Sequence, residues 1–196
     1  MDRPSPNQHR STLRPWTRVL LCCVAGWWWI GAVRAALPAD FEEYQVKAAW
    51  MLNFTKFVEW PKEAFAAADS PCVVGVYGKD VFGPVIDTVF TNKTIKGRSF
   101  QIRRITRESD LAGCHLLFIP ASERRNHRDI MTKLNKSPVL TVGESDSFHE
   151  HGGIMNFAMK GNSIQFEIDL RNAQKAGLRI DANLLKIASK VRGKYE

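Results

Sequence analysis

CHLLFIPAS, residues 114–122, sets Leu116, Leu117, Phe118 and Ile119 in an unbroken apolar run that ends at Pro120. The run is too short for a helix of its own, and proline stops it. A strand without polar alternation belongs where both faces of a sheet are covered. The fold class that follows is α/β: a single-domain sandwich with a mixed, largely parallel sheet between helices. This strand sits near its middle, with Ser122 placed to cap a following helix. A buried helical turn is the alternative, disfavoured because the pattern breaks after six residues.

Working outward, Cys72 to Tyr77, CVVGVY, reads as a second buried strand, and Val81 to Phe90 as a short helix. Gly75, Gly78 and Gly83 fit neither the dinucleotide fingerprint nor the P-loop, so nucleotide binding is not expected there. Ser99 to Ile105 partly alternates and reads as a half-exposed strand. After Ser122, Ile130, Met131 and Leu134 give the expected helix an apolar edge, and Arg124, Arg125 and Arg128 a basic one. Val139 to Val142 is the next strand, and Gly143 to Gly153 a loop. Ile154 to Met159 and Ser163 to Ile168 form a hairpin around Lys160-Gly161-Asn162. Ile164, Phe166 and Ile168 should face inward and Ser163, Gln165 and Glu167 outward. Leu170 to Ala176 is a helix closed by Gly177, and Asp181 caps another, with Ile180 placed to pack on Leu185.

The first helix of the mature chain starts at an Asp40 cap and runs to Trp60, where Pro61 ends it. Phe41, Tyr44, Ala48, Met51, Leu52 and Val58 recur mostly at helical spacings, yet Phe54, Phe57 and Trp60 occupy other faces. Deep burial explains such a helix. So does contact with a partner through part of the aromatic surface, and Phe57 and Trp60 are the candidates.

The chain of 196 residues suits one domain. Its net charge of +8 includes Arg3, Arg10, Arg14, Arg18 and Arg34 against Asp2 alone within residues 1–35. Without them the balance is 23 cations to 19 acids, +4, which points to solubility rather than nucleic acid. Four of those arginines precede the apolar run Val19 to Val33, and Ala35 and Ala36 follow it. That order is a secretory signal peptide, residues 1–35, with residues 36–196 as the exported domain. An uncleaved anchor is the alternative, given the bulky Trp27, Trp28 and Trp29. Cys72 and Cys114 alone remain in the mature chain. An even count in an exported protein points to one disulfide, and two buried thiols are the alternative.

No catalytic constellation stands out. Ser122 lacks the glycines of a nucleophile elbow. His149, Glu150 and His151 suggest a metal site, but no further His or Cys joins them, so a solvated loop is the better reading. His115 and His127 stand alone.

The segments YQVKAAWMLNFTKFVEWP (44–61), CVVGVYGKDVFG (72–83), CHLLFIPASE (114–123), SPVLTVGESDSF (137–148), GGIMNFAMKGNSIQFEIDL (152–170) and AGLRIDANLLKIAS (176–189) resemble the YfiR-like family of small periplasmic proteins. The resemblance implies a dimeric α/β regulator without catalytic activity or cofactor. Such a protein restrains an inner-membrane diguanylate cyclase by binding its periplasmic sensor region, and so controls cyclic di-GMP and biofilm. Cys72 and Cys114 match family cysteines at the starts of their strands. Some members carry a second pair near Gly152-Gly153, where this chain has none. A periplasmic small-ligand-binding module remains the alternative function.

Overall fold

The computed structural model describes residues 39–194, with side chains from Phe41 onward. The expected signal peptide, residues 1–35, lies outside the described residues. Asp40 lies within the first helix, Ala39–Phe57, rather than ahead of it as the expected cap. The central run forms a strand, β5 (Leu116–Ile119), whose four side chains are all buried. Its neighbours are β2 (Cys72–Tyr77) and β6 (Leu140–Gly143), both parallel to it. In register, Val74 lies beside Leu116, and Leu116 beside Leu140.

The sheet extends from there in both directions. On one side β4 (Arg98–Ile105) pairs parallel with β2, and the two-residue β3 (Thr94–Ile95) antiparallel with β4. On the other side β7 (Met155–Lys160) is parallel to β6. Then β8 (Ser163–Asp169) is antiparallel to β7, and β10 (Lys190–Arg192) parallel to β8. The order across the eight strands is β10-β8-β7-β6-β5-β2-β4-β3. A separate ribbon joins β1 (Val58–Glu59) to β9 (Arg179–Ile180), antiparallel.

Alternation on β5 explains the unbroken apolar run. Leu116 and Phe118 enter one core with Met51 and Phe54 of α1 (Ala39–Phe57) and Val85, Ile86 and Phe90 of α2 (Pro84–Phe90). Leu117 and Ile119 enter a second core with Ile105, Phe148 and Ile130 of α3 (His127–Lys133). Each face is therefore dry, and every position on the strand is apolar. The remaining helices are α4 (Leu170–Lys175) and α5 (Ala182–Ile187). Asp181 caps α5, accepting from the Asn183 backbone N–H at 2.7 Å, and Asp169 caps α4. Gly177 takes φ +70° just past α4, as a left-handed closing residue requires.

Three expectations are corrected. The first helix ends at Phe57, not Trp60, because Val58 and Glu59 leave it to pair with Ile180 and Arg179. Ser122 caps nothing: a 3-10 segment, Ala121–Asn126, intervenes, and α3 begins at His127 without a side-chain cap. The expected loop after β6 holds a 3-10 turn, His149–His151, folded around the fully buried Phe148. A Cβ at Gly143 or Gly153 would lie 2.5 or 2.1 Å from that ring, so the wrapping requires glycine at both.

Candidate functional site

Trp60 and Phe57 are half-buried against the first core, at the end of the sheet where β2 and β5 begin. Trp60 is held in place: its indole Nε1–H donates to the His115 carbonyl at 3.1 Å. His115 is buried, and its ring is gripped from both sides. Nδ1 accepts from the Val73 N–H at 3.0 Å, which leaves the proton on Nε2, 3.0 Å from the Ala64 carbonyl. Phe65 stacks on the imidazole at 4.2 Å, and the Arg98 guanidinium lies 4.0 Å over Phe65. Burial pushes the His115 pKa down from its ordinary value, partly offset by the bond to Ala64. Arg98 is tied down by the Ala67 and Ser70 carbonyls at 2.8 and 2.9 Å. The result is a rigid aromatic platform of Trp60, Phe65 and His115. Within it His115 is buried, while Trp60 and Phe65 are half-buried.

The expected Cys72–Cys114 disulfide is not formed; both are buried free thiols. They lie on different sides of the sheet. Cys72 lines a small cavity of about 50 Å³ with Val58, Trp60 and Phe65. Cys114 belongs to the opposite core, its sulfur 3.6 Å from Arg103 Nη2. A bridge needs facing Cβ atoms, and Cys114 precedes β5, following a turn at Gly113 with φ +75°. Burial pushes the Cys72 thiol up to about 12 and raises that of Cys114, so neither is poised as a thiolate.

The loop histidines are also corrected. His149 is buried rather than solvated, its Nδ1 3.1 Å from the Gly153 carbonyl. His127 is fully buried edge-on to Phe148, with its ring centroid 6.0 Å from that of His151. Among the described residues, no group of three His, Cys, Asp or Glu could hold a metal ion.

At the other end of the sheet lies a polar cluster whose partners are too far apart in the chain to be recognised by spacing. The connections from β2 and β5 leave towards opposite edges of the sheet, to β4 and to β6, which makes a topological switch point. There the buried Lys47 Nζ donates to Glu43 and, at 2.6 Å, to Glu144 Oε2. Glu144 Oε1 also accepts from the Tyr44 hydroxyl at 3.2 Å and the Ala121 N–H at 3.1 Å. The pair ties α1 to the ends of β5 and β6 across 97 residues of sequence.

Residues 44–189 match the YfiR/HmsC-like family. The chain belongs to that family. Among solved structures it is similar to a conserved domain protein of Vibrio cholerae O1 biovar El Tor. There the identity is 10% and the TM-score 0.47, over 61% of this chain and 54% of that one. It is also similar to the ABC domain from Streptococcus pneumoniae solved in complex with L-Trp. There the identity is 10% and the TM-score 0.51, over 74% of this chain and 60% of that one. The chain thus spans between half and two thirds of each of those proteins, and the second likeness concerns the fold. Among the described residues, no helix of this YfiR/HmsC-like protein is long and apolar enough to cross a membrane.

Proposed function

We propose that this YfiR/HmsC-like protein is a dimeric periplasmic regulator. It restrains an inner-membrane diguanylate cyclase by binding the sensor region that the cyclase exposes to the periplasm. Family membership over residues 44–189 carries the reading, and the anchored Trp60 with its half-buried neighbour Phe57 supplies a surface of the right kind. Aromatic side chains on rigid elements lose little entropy on docking and dominate binding energies. The test is capture from solubilised inner membranes by the mature protein, with identification of what is retained, alongside cyclic di-GMP measured with and without the gene. Capture of a diguanylate cyclase and a rise in cyclic di-GMP on deletion are expected. Unchanged cyclic di-GMP with no cyclase captured overturns the reading.

A second reading, a small-ligand-binding module, draws on the open cleft of about 600 Å³ beside α1, with Tyr44 and Phe82 in its wall. The Streptococcus pneumoniae domain of similar fold was solved with L-Trp. A thermal shift with L-tryptophan would favour this reading, and no shift would remove its support.

A further inference from the structure

Within residues 36–196 the positive charge is concentrated in residues 171–194. Residues 171–194 hold Arg171, Lys175, Arg179, Lys186, Lys190, Arg192 and Lys194 against Asp181 alone, a net of +6. Residues 36–196 as a whole carry +4, so the rest of the mature domain is slightly acidic. Six of the seven cations are exposed; Arg192 is half-buried and paired with Glu167 at 2.8 Å. Lys175 and Lys186 stand in the last turns of α4 and α5, where any helix favours a cation. That does not account for Arg171, Arg179, Lys190 or Lys194.

Apolar side chains sit among these charges. Ile187 at the end of α5 is 57% exposed, and Val191 on the edge strand β10 is 39% exposed. The backbone of Gly193 lies against Arg171, close enough that a Cβ there would meet its Cγ at 2.6 Å, so α4 and the end of β10 form one surface. Lysines alone would be an ordinary way to blunt a free sheet edge. Val191, exposed on that edge, works against blunting, and Ile187 is exposed at the end of α5 just ahead of the strand. Open clefts of about 330 to 600 Å³ among the described residues are lined by residues up to Ala176 and do not include Ile187 or Val191.

We infer that the β10–α5 edge is a docking face for an anionic phospholipid surface, with Lys186, Lys190, Lys194 and Arg171 on the headgroups and Ile187 and Val191 entering the interface. Charge complementarity supplies the attraction: each Lys or Arg near an anionic bilayer contributes about 1 kcal/mol, falling off within a Debye length. The two aliphatic tips add a short-range apolar contribution. Such docking would hold the protein in the plane where a membrane-embedded partner is found, but it does not depend on that partner.

Co-sedimentation of the mature chain with protein-free vesicles tests this independently of any cyclase. The probes are vesicles of phosphatidylethanolamine with phosphatidylglycerol, and vesicles of phosphatidylcholine. Binding to the first only, lost at high salt, is expected. The triple variant Lys186→Gln, Lys190→Gln, Lys194→Gln should weaken partitioning on the order of 100-fold. A control triple, Arg124→Gln, Arg125→Gln, Arg128→Gln, removes the same charge from exposed positions in the 3-10 segment Ala121–Asn126 and the start of α3, and should change it far less. Ile187→Ser with Val191→Ser should weaken binding while leaving its salt dependence intact. All are surface changes, and unchanged melting temperatures would confirm the fold. Failure to bind anionic vesicles, equal binding to phosphatidylcholine, or equal loss in both triples overturns the inference. So does a lysine triple that loses capture of an acidic membrane protein while vesicles never bound, which would make this a protein contact.

Discussion

Lys47 shows how much a single residue can carry. Its side chain is 5% exposed and that of Glu144 9%, so the pair has left water and depends on its own geometry. Glu144 accepts three hydrogen bonds, from Lys47, Tyr44 and Ala121, which is the condition under which a buried pair holds. Removing Lys47 strands the Glu144 charge, whereas Lys47 keeps Glu43 if Glu144 is lost. Lys47→Met is expected to cost roughly 3–5 kcal/mol, and the double change with Glu144→Gln clearly less than the sum of the two singles. Urea denaturation of the three variants measures this, and additive losses would mean the pair does not act as a unit. The cysteines give a second expectation. With Cys72 and Cys114 free and on opposite sides of the sheet, the unfolded, unreduced mature protein should titrate two thiols. Reductant should then leave the melting temperature unchanged. A count of zero would mean the bridge forms and the strands are displaced.

At the scale of elements, α1 is the clearest case of a sequence that could be read two ways. Its large side chains lie on more than one face because it meets more than one surface. Met51 and Phe54 are fully buried, with Phe54 edge-on to Phe166 at 4.9 Å and stacked with Phe157 at 5.7 Å. Trp50 packs on Phe166 from the side at 5.0 Å. Phe54→Ala should therefore cost about 3–5 kcal/mol. Phe57→Ser should cost far less stability yet weaken partner capture, because its ring is only half-buried. If Phe57→Ser destabilises as much as Phe54→Ala, the ring belongs to the core and not to a docking surface. What could be read in advance was local. The β5 run, the Asp181 cap and the hairpin after Lys160 each depend on neighbours a few residues away, and their residue types encode them. The end of α1 and the role of Ser122 could not be read that way. The first depends on Ile180 pairing with Val58, and the second on a 3-10 segment that no capping rule foresees. The site was less legible still: His115 looks solitary in the sequence, and Phe65, Ala64 and Val73 find it only once β2 and β5 lie side by side.

For the molecule as a whole, buried histidines set the response to acid. His115, His127 and His149 are each buried, and burial is the main reason their pKa values fall below the ordinary 6.5, with His127 pushed down to about 4. The direction of the effect follows from proton counting. Below pH 6.5 the unfolded chain binds protons at these rings while the folded chain resists them, so the unfolded state gains and stability falls as pH falls. The contribution is complete above about pH 6.5 and is lost progressively towards pH 4, where even His127 accepts its proton in the folded state. His127 should weigh most. Neither of its ring nitrogens has a hydrogen-bond partner, and the nearby Arg124 and His151 oppose a further positive charge. At His115 protonation must also break the bond from the Val73 N–H, loosening the start of β2 beside the aromatic platform. Melting temperatures recorded from pH 7.5 down to pH 4.5 should decline steadily once the unfolded histidines begin to titrate. His127→Phe keeps a ring against Phe148 and removes the titrating group. Its acid decline should be visibly shallower than that of the parent, whatever its stability at neutral pH. Parallel curves for the two proteins would remove His127 as the main contributor, and a flat parent curve down to pH 5 would remove the histidines altogether.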